Sequence, residues 1–187
     1  METLAVESTA VILSAAIAHF DFSPSEDLNE EFGSLVGRSL YVKLDSKIQA
    51  QQYNRAVDKS TLEWWAKQGE FVRDLCFKPS KQDLNPMVAM QALREYINKH
   101  SNGERNIIWT RGSLDQMVTD SLCKAIGIDT LAHYSDWRDV RTAVDLLAES
   151  SNNGYCQLSR PFNRDLAVKH IPTHDIALDI LMLKYPK

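Results

Sequence analysis

The apolar run at residues 9–22, TAVILSAAIAHFDF, constrains the fold more than any other segment of the chain. It is rich in β-branched and small residues and lies between polar segments, so it predicts a buried strand. Residues 38–45, RSLYVKLD, alternate between polar and apolar side chains, which predicts a half-exposed strand beside it. The polar and acidic connection Ser23–Gly37 is predicted to be hairpin-like. The chain therefore opens with neighbouring strands.

Strands and helices alternate along the rest of the chain. The capping box Ser60-Thr61-Leu62-Glu63 predicts a short helix, because its Ser and Glu side chains satisfy free amides at a helix start. The other predicted elements are a helix over 84–99 with Pro86 in its first turn, a strand over 106–110, helices over 114–125 and 137–149, a loop over 150–163, and a last helix from Thr173 to Lys184. This order predicts an α/β domain with a mixed sheet.

The formal net charge of the chain is −4, from 21 Lys and Arg against 25 Asp and Glu. This excludes a histone-like or polybasic nucleic-acid clamp, whose affinity comes from neutralising phosphates. An enzyme that holds nucleic acid in one local groove remains compatible with the charge. The length of 187 residues predicts one domain over residues 1–187, large enough to bury a core without disulfides or metals.

The cysteines and the apolar segments predict the compartment. The chain has three cysteines, Cys76, Cys123 and Cys156. They are far apart and form no CxxC motif, which disfavours a disulfide framework or a zinc ribbon and favours a reducing compartment. The stretch Ala10–Ala18 is too short to span a bilayer, and the acids Glu2 and Glu7 before it are wrong for a signal peptide. We therefore expect a cytosolic or nuclear protein.

Three residues stand where catalytic groups are often found. Asp115 follows a predicted strand in the first turn of a helix, a position typical of α/β active sites and also of acids that stabilise the helix dipole. Asp179 lies among apolar neighbours, so it needs a polar partner, either a bound cation or a buried Arg. His174 begins the last helix, where the dipole favours a neutral imidazole that can act as a general base near pH 7. It could equally be a surface residue of the first turn.

Five segments occur in the order found in a known family. They are Glu2-Thr3-Leu4, Ser60–Trp65 with Gln68, Arg111–Asp115, Trp137–Thr142, and His174–Met182 followed by Lys184-Tyr185. Together they resemble the DEDDh 3′→5′ exonucleases, and within that family the exonucleases of T-even phages and the mycobacterial-type exoribonucleases. The resemblance extends over the whole chain. A His-x4-Asp spacing alone would be a weak signal, whereas five ordered segments are a strong one.

The resemblance implies a ribonuclease H-like fold, in which helices flank a mixed central sheet. It also implies hydrolysis of phosphodiester bonds at the 3′ ends of single-stranded DNA or RNA, supported by two Mg²⁺ or Mn²⁺ ions. Two such ions generate hydroxide and stabilise the leaving oxygen, and hard cations prefer carboxylate ligands. A phage origin, which only the resemblance implies, would place the protein in the host cytoplasm. Sugar preference depends on contacts to the 2′-OH that no motif in the sequence reveals.

The resemblance also implies roles for single residues. Glu2, Asp115 and Asp179 would be metal ligands, and His174 would be the base that deprotonates the attacking water. Thr3 and Leu4 would contact the 3′-terminal nucleotide. We therefore expect Glu2, Asp115, Asp179 and His174, which are far apart in the sequence, to converge on one acidic pocket.

The chain departs from the family at its first motif, Asp-x-Glu. Met1 occupies the middle position, so the family's first Asp would lie before Met1. Three explanations are compatible with the sequence. The printed start lies downstream of the real one, the protein is a truncated and weakly active form, or it is a degenerate member that binds nucleic acid or a partner without catalysis.

Two forms of the protein distinguish these explanations. We expect the chain that starts at Met1 to bind divalent metal weakly and cleave poorly, because one acidic ligand is missing. A form extended upstream through a segment that ends in Asp should be more stable and more active, since it completes the first strand and the metal site. Melting temperature and Mg²⁺-dependent release of nucleotides from a single strand measure both properties. Equal activity of the two forms would mean that another group replaces the Asp.

Overall fold

Helices and two small sheets make up the residues that the computed structural model describes, 1–101 and 105–187. The strands are β1 (Glu2–Thr3), β2 (Ile12–Ile17), β3 (Leu40–Lys43), β4 (Ile108–Thr110) and β5 (Trp137–Asp139). The helices are α1 (Leu28–Arg38), α2 (Ser46–Gln52), α3 (Lys59–Ala66), α4 (Glu70–Val72) with a π-helical continuation over Arg73–Phe77, α5 (Pro86–His100), α6 (Leu114–Ile126), α7 (Val140–Leu147) and α8 (Pro172–Lys184). The prediction of a mixed α/β protein is confirmed. None of the helices in these residues combines the length and the apolar character needed to cross a membrane.

The strands form two separate sheets within the described residues, where the sequence predicts one mixed sheet. Strands β1, β2 and β3 lie side by side in antiparallel order, with Ser14 opposite Glu2 on one side and Lys43 on the other. Strands β4 and β5 form a parallel pair, in which Thr110 faces Asp139. The predicted strand over 9–22 is therefore correct at its centre, although regular pairing is confined to β2.

The connection Ser23–Gly37 contains a helix, so the prediction of a hairpin-like link is wrong. Asp27 caps α1 by accepting hydrogen bonds from the first free amides, and the helix buries Leu28, Phe32 and Leu35. These residues recur at the spacing of one helical face. The acidic residues between them made the segment look like a loop.

The predicted ends of the other helices agree more closely with the structure. The helices predicted over 84–99, 114–125 and Thr173–Lys184 correspond to α5, α6 and α8. The short helix near Ser60 is present as α3, although its N-cap is Asp58. The helix predicted from residue 137 begins at Val140, because its first three residues pair in β5 and Asp139 serves as the cap.

Helix α8 is buried by two different packing surfaces. One surface meets α1, where Ala177, Ile180 and Leu181 pack with the apolar face of that helix. The other meets α7 through Met182 and Leu183. The helix also contacts β2. Its first turn is thereby held beside the start of the chain, where β1 pairs with β2.

Two buried polar side chains fix the backbone around β2. The Gln49 side-chain amide donates to the carbonyl of Ile12 at 2.7 Å and accepts from the Ile12 amide at 2.9 Å. The Arg55 guanidinium, 5% exposed, donates to the carbonyls of Ala10 and Val118. These bonds satisfy groups that would be costly to bury unpaired. The Arg55 bonds join the loop after β1 to α6, and the Gln49 bonds join α2 to β2.

Two Gly→Ala substitutions should have opposite effects on stability. At Gly154 the φ angle is +75°, and an added Cβ would lie 2.4 Å from the Cα of Arg141. Gly154→Ala should therefore cost about 1–3 kcal/mol from the backbone angle alone, with the clash in addition. Gly33 lies inside α1, and no atom of the described residues lies within 4 Å of its added Cβ, so Gly33→Ala should stabilise by roughly 0.5–1 kcal/mol. Urea denaturation measures both changes, and equal effects would contradict this account of Gly154.

Candidate active site

The start of the chain and the start of α8 bring three potential ligands together. Ligand atoms of Glu2, His170 and Asp175 all lie within 4.8 Å of one another. The His170 Nδ1 is 4.0 Å from Glu2 Oε1, and the Glu2 side chain is 13% exposed. Glu2 reaches this position because β1 pairs with β2, and Asp175 because it lies in the first turn of α8.

Two further acids lie near this group. Asp115, in the first turn of α6, has its Oδ2 3.8 Å from the amine of Met1. That amine also experiences the charges of Glu2, Asp175 and Asp179. We call Glu2, Asp115, Asp175 and Asp179 the acidic cluster. Of the four residues expected to converge, Glu2, Asp115 and Asp179 all contribute to it.

The carboxylates of the acidic cluster lie close together in partly buried positions, where like charges repel one another. Burial raises the pKa of Glu2 to about 7, and the charges of Asp175 and Asp115 add to this effect while the Met1 amine opposes it. Burial likewise raises the pKa of Asp175 to about 6, with the charge of Asp179 in the same direction. Buried acids of this kind are stabilised by a nearby cation. Carboxylate oxygens are the donors that a hard divalent cation such as Mg²⁺ or Mn²⁺ prefers, and they fit such an ion here.

Asp179 differs from the other acids because it has a fixed basic partner. The Arg111 Nε donates to both of its carboxylate oxygens, at 2.9 and 3.2 Å. Burial opposes the charge of Arg111, but the hydrogen bond to Asp179 and the negative charges around the guanidinium, that of Asp179 first, together raise its pKa. Of the two partners considered for Asp179 from the sequence, a cation or a buried Arg, the structure contains the Arg.

His174 lies in different surroundings from the acidic cluster. Its Nδ1 accepts a hydrogen bond from the amide of Val168 at 3.1 Å, and its ring meets the ring of Phe32 edge-on. Within residues 1–101 and 105–187, none of its hydrogen bonds or ion pairs joins it to an acid. His170, for which the sequence gave no functional indication, is the histidine beside Glu2.

The His-x4-Asp spacing occurs twice in this chain, which explains why His170 and Asp175 were missed. It joins His174 to Asp179 and, one helical turn earlier, His170 to Asp175. Spacing alone does not distinguish the two pairs. The earlier pair is the one that meets Glu2.

Thr3 and Leu4 lie in local contacts next to Glu2, and the partly exposed ring of Trp64 lies beside His170. The Thr3 hydroxyl donates to the Ala5 carbonyl at 2.8 Å, and the Leu4 side chain is buried. Trp65 is a core residue, and its indole donates to the Thr3 carbonyl. Trp64 is 41% exposed, and its ring meets His170 edge-on with 4.7 Å between ring centroids.

Comparison with known proteins assigns the chain to the exonucleases, a class of nucleic-acid hydrolases. It belongs to the family described as the 3′-5′ exoribonuclease Rv2179c-like domain, which it matches over residues 1–175. It is also 30% identical to a protein of Enterobacteria phage T4 named exodeoxyribonuclease, over 98% of this chain and 85% of the phage protein. The resemblance found in the sequence is thereby confirmed. The residues matched to the family include Asp175 and end before Asp179.

The raised pKa values of Glu2 and Asp175 predict how stability depends on pH in the absence of divalent metal. The folded protein keeps protons on these acids that the unfolded chain releases at ordinary carboxyl values. Stability should therefore fall as the pH rises from about 3.8 to about 7, by about 1.4 kcal/mol for each unit by which a pKa is raised. Denaturation in EDTA across this range measures the slope.

Glu2→Gln should make this slope shallower, because it removes one of the acids whose pKa is raised. Glu95→Gln, at an exposed position on α5, is the matched control and should leave the slope unchanged. Metal-free stability that increases over the same pH range would contradict the burial of like charges in the acidic cluster.

Proposed function

We propose that this protein is a metal-dependent 3′→5′ exonuclease that removes mononucleotides from single-stranded 3′ ends, on a ribonuclease H-like fold. The observation that carries the proposal is the convergence of Glu2, His170 and Asp175, with Asp115 close by. Membership of an exoribonuclease family supports nuclease activity. The direction of cleavage and the need for metal are the parts that the proposal adds.

Glu2, Asp115 and Asp175 would hold Mg²⁺ or Mn²⁺ through carboxylate oxygens. Bound divalent ions supply a polarised water and neutralise charge on the phosphate and on the leaving oxygen. The acids also explain the need for a cation in this protein, since without one they would repel a phosphate. Asp179, which the family resemblance names as a ligand, is already bound to Arg111, so we assign the ligand role to Asp175.

His170 is proposed as the general base. Burial and the charge of Lys169 lower the pKa of its imidazole, so the ring is neutral near pH 7 and able to accept a proton. It would take that proton from the water whose oxygen attacks the terminal phosphorus. The bond from phosphorus to the preceding 3′-oxygen then breaks, and the shortened strand leaves with a protonated 3′-hydroxyl.

His174, the base expected from the sequence, is the rival for this role. Its pKa is lowered by burial as well, so protonation state does not separate the two histidines. The two histidines differ in position. His174 Nδ1 accepts a hydrogen bond from the Val168 amide, whereas His170 Nδ1 lies beside the Glu2 carboxylate. We therefore assign catalysis to His170 and a local structural role to His174.

The exposed ring of Trp64 is proposed to receive the terminal base. Aromatic side chains next to a phosphate-cleaving site bind single strands by stacking, which is tolerant of sequence. Trp64 lies on the outer side of His170, so a base resting on it would bring its phosphate toward the histidine.

The test uses single-stranded DNA and RNA labelled at the 5′ end. With Mg²⁺ or Mn²⁺, the label should pass through a ladder of products shortened from the 3′ end, slowly for the chain that starts at Met1, and EDTA should abolish the reaction. His170→Ala should lower kcat by roughly 10²–10⁴, the range for loss of a general base. His174→Ala is the matched control and should change kcat by less than about tenfold.

Three outcomes would contradict parts of the proposal. Loss of activity in His174→Ala with retention in His170→Ala would restore His174 as the base. Products shortened from the 5′ end, or cleavage unaffected by EDTA, would refute the direction or the metal. Tight binding of a single strand without cleavage would favour a non-catalytic binding protein of the same fold.

A further inference from the structure

Arg111 connects the two segments that carry Asp115 and Asp175. It lies between β4 and α6, four residues before Asp115, and its guanidinium binds Asp179, one helical turn after Asp175 on α8. Both side chains of this pair are mostly buried, 18% exposed for Arg111 and 16% for Asp179. A displacement of α8 relative to the start of α6 would therefore break a charged, bidentate contact.

The guanidinium of Arg111 has three further contacts besides Asp179, with two carbonyls and one aromatic ring. Besides Asp179, it donates to the carbonyl of Gly154 at 3.1 Å and to that of Asn153 at 3.4 Å. Its carbon also lies 4.4 Å from the centre of the Tyr155 ring. Because a planar guanidinium presents its donors in a fixed fork, these contacts define one orientation.

We propose that Arg111 and Asp179 form a positioning pair that sets the spacing between the Asp115 and Asp175 carboxylates, and that Asp179 is not itself a metal ligand. This inference rests on the proposed function. Divalent ions tolerate only small changes in ligand distance, so the helix that carries Asp175 must keep its place relative to α6. The same pair neutralises one of the four acids, which lowers the repulsion inside the acidic cluster.

Arg111→Gln separates positioning from a direct ligand role for Asp179. If Asp179 were a ligand, Arg111 would compete with the metal, so its removal would free a carboxylate and tighten binding. Loss of a positive charge beside the acids would act in the same direction. If the pair positions α8, removal of Arg111 should weaken binding, as removal of Asp179 does. The two explanations therefore predict changes of opposite sign.

The experiment is calorimetric titration of the full chain with Mn²⁺, followed by kinetics on a single-stranded oligonucleotide. Arg111→Gln and Asp179→Asn should each weaken Mn²⁺ binding by roughly 10–100-fold, the usual cost of losing a group that orients a ligand. The double variant should bind about as weakly as either single variant, since both remove the same contact. Their kcat should fall while KM for the oligonucleotide stays near that of the wild type.

Two further variants test whether the charge of Arg111 is sufficient without its geometry, and whether loss of any arginine has the same effect. Arg111→Lys keeps the charge but loses the fork, so it should bind Mn²⁺ with intermediate affinity. Arg138→Gln is the matched control, because Arg138 is exposed and, among the residues that the structure describes, donates only to the carbonyls of Ser135 and Trp137. It should leave Mn²⁺ binding unchanged. Metal-free melting temperatures verify that each variant folds.

The outcomes distinguish this inference from the proposed function. Tighter or unchanged Mn²⁺ binding in Arg111→Gln, with normal binding by the wild type, would overturn the positioning pair alone. Wild-type affinity in Arg111→Lys would overturn it too, because charge would then be sufficient. If the wild type binds no Mn²⁺, the proposed metal site fails and the positioning pair fails with it.

Discussion

The burial of helix α8 is the constraint on which the rest of the structure depends. Its apolar residues pack against α1 on one side and α7 on another, and the helix also contacts β2. No residue of α8 is fully exposed to solvent, its acids included. Asp175 and Asp179 are therefore carried into the interior, where each needs a positive partner. Arg111 provides that partner for Asp179, and the charge of the Met1 amine favours the ionised form of Asp175.

The sequence predicted the larger helices and some of the acids at the candidate site. It predicted less well how the residues of that site are arranged in space. Helices α5, α6 and α8 have clear apolar faces and recognisable ends, so their boundaries agreed with the structure to within a few residues. Helix α1 was missed because acidic residues interrupt its apolar face. Glu2 and Asp115 could be proposed from motifs, since each belongs to a short and specific segment.

The choice between the two His-x4-Asp pairs could not be made from the sequence. The pairs are offset by one helical turn, so both place an acid on the same face of α8. What separates them is contact with β1 and with Arg111, and such contacts depend on how distant segments pack. Arg111 itself lies within a segment that carried the resemblance, but nothing in its local sequence indicates a partner 68 positions away.

The two related names differ in the sugar of the substrate. The family is described as exoribonuclease, and the phage protein is named exodeoxyribonuclease. Carboxylates and an imidazole act on the phosphate, which RNA and DNA share, whereas sugar choice requires a contact to the 2′-OH. A nuclease that acts through the acidic cluster would therefore be compatible with either nucleic acid, and a choice of sugar would need contacts to the terminal nucleotide.

The amide of Gln49 has a consequence for how the first sheet is aligned. It occupies both backbone hydrogen-bonding groups of Ile12, beyond the last paired residues of β2 and β3. A slip of β3 along β2 by one residue would turn every side chain of the strand to the opposite face. Such a slip toward Ile12 would need the groups that Gln49 already holds. A single side chain thus limits the register of β3 on β2. Because β1 also pairs with β2, the same side chain helps to fix the position of Glu2 along that strand.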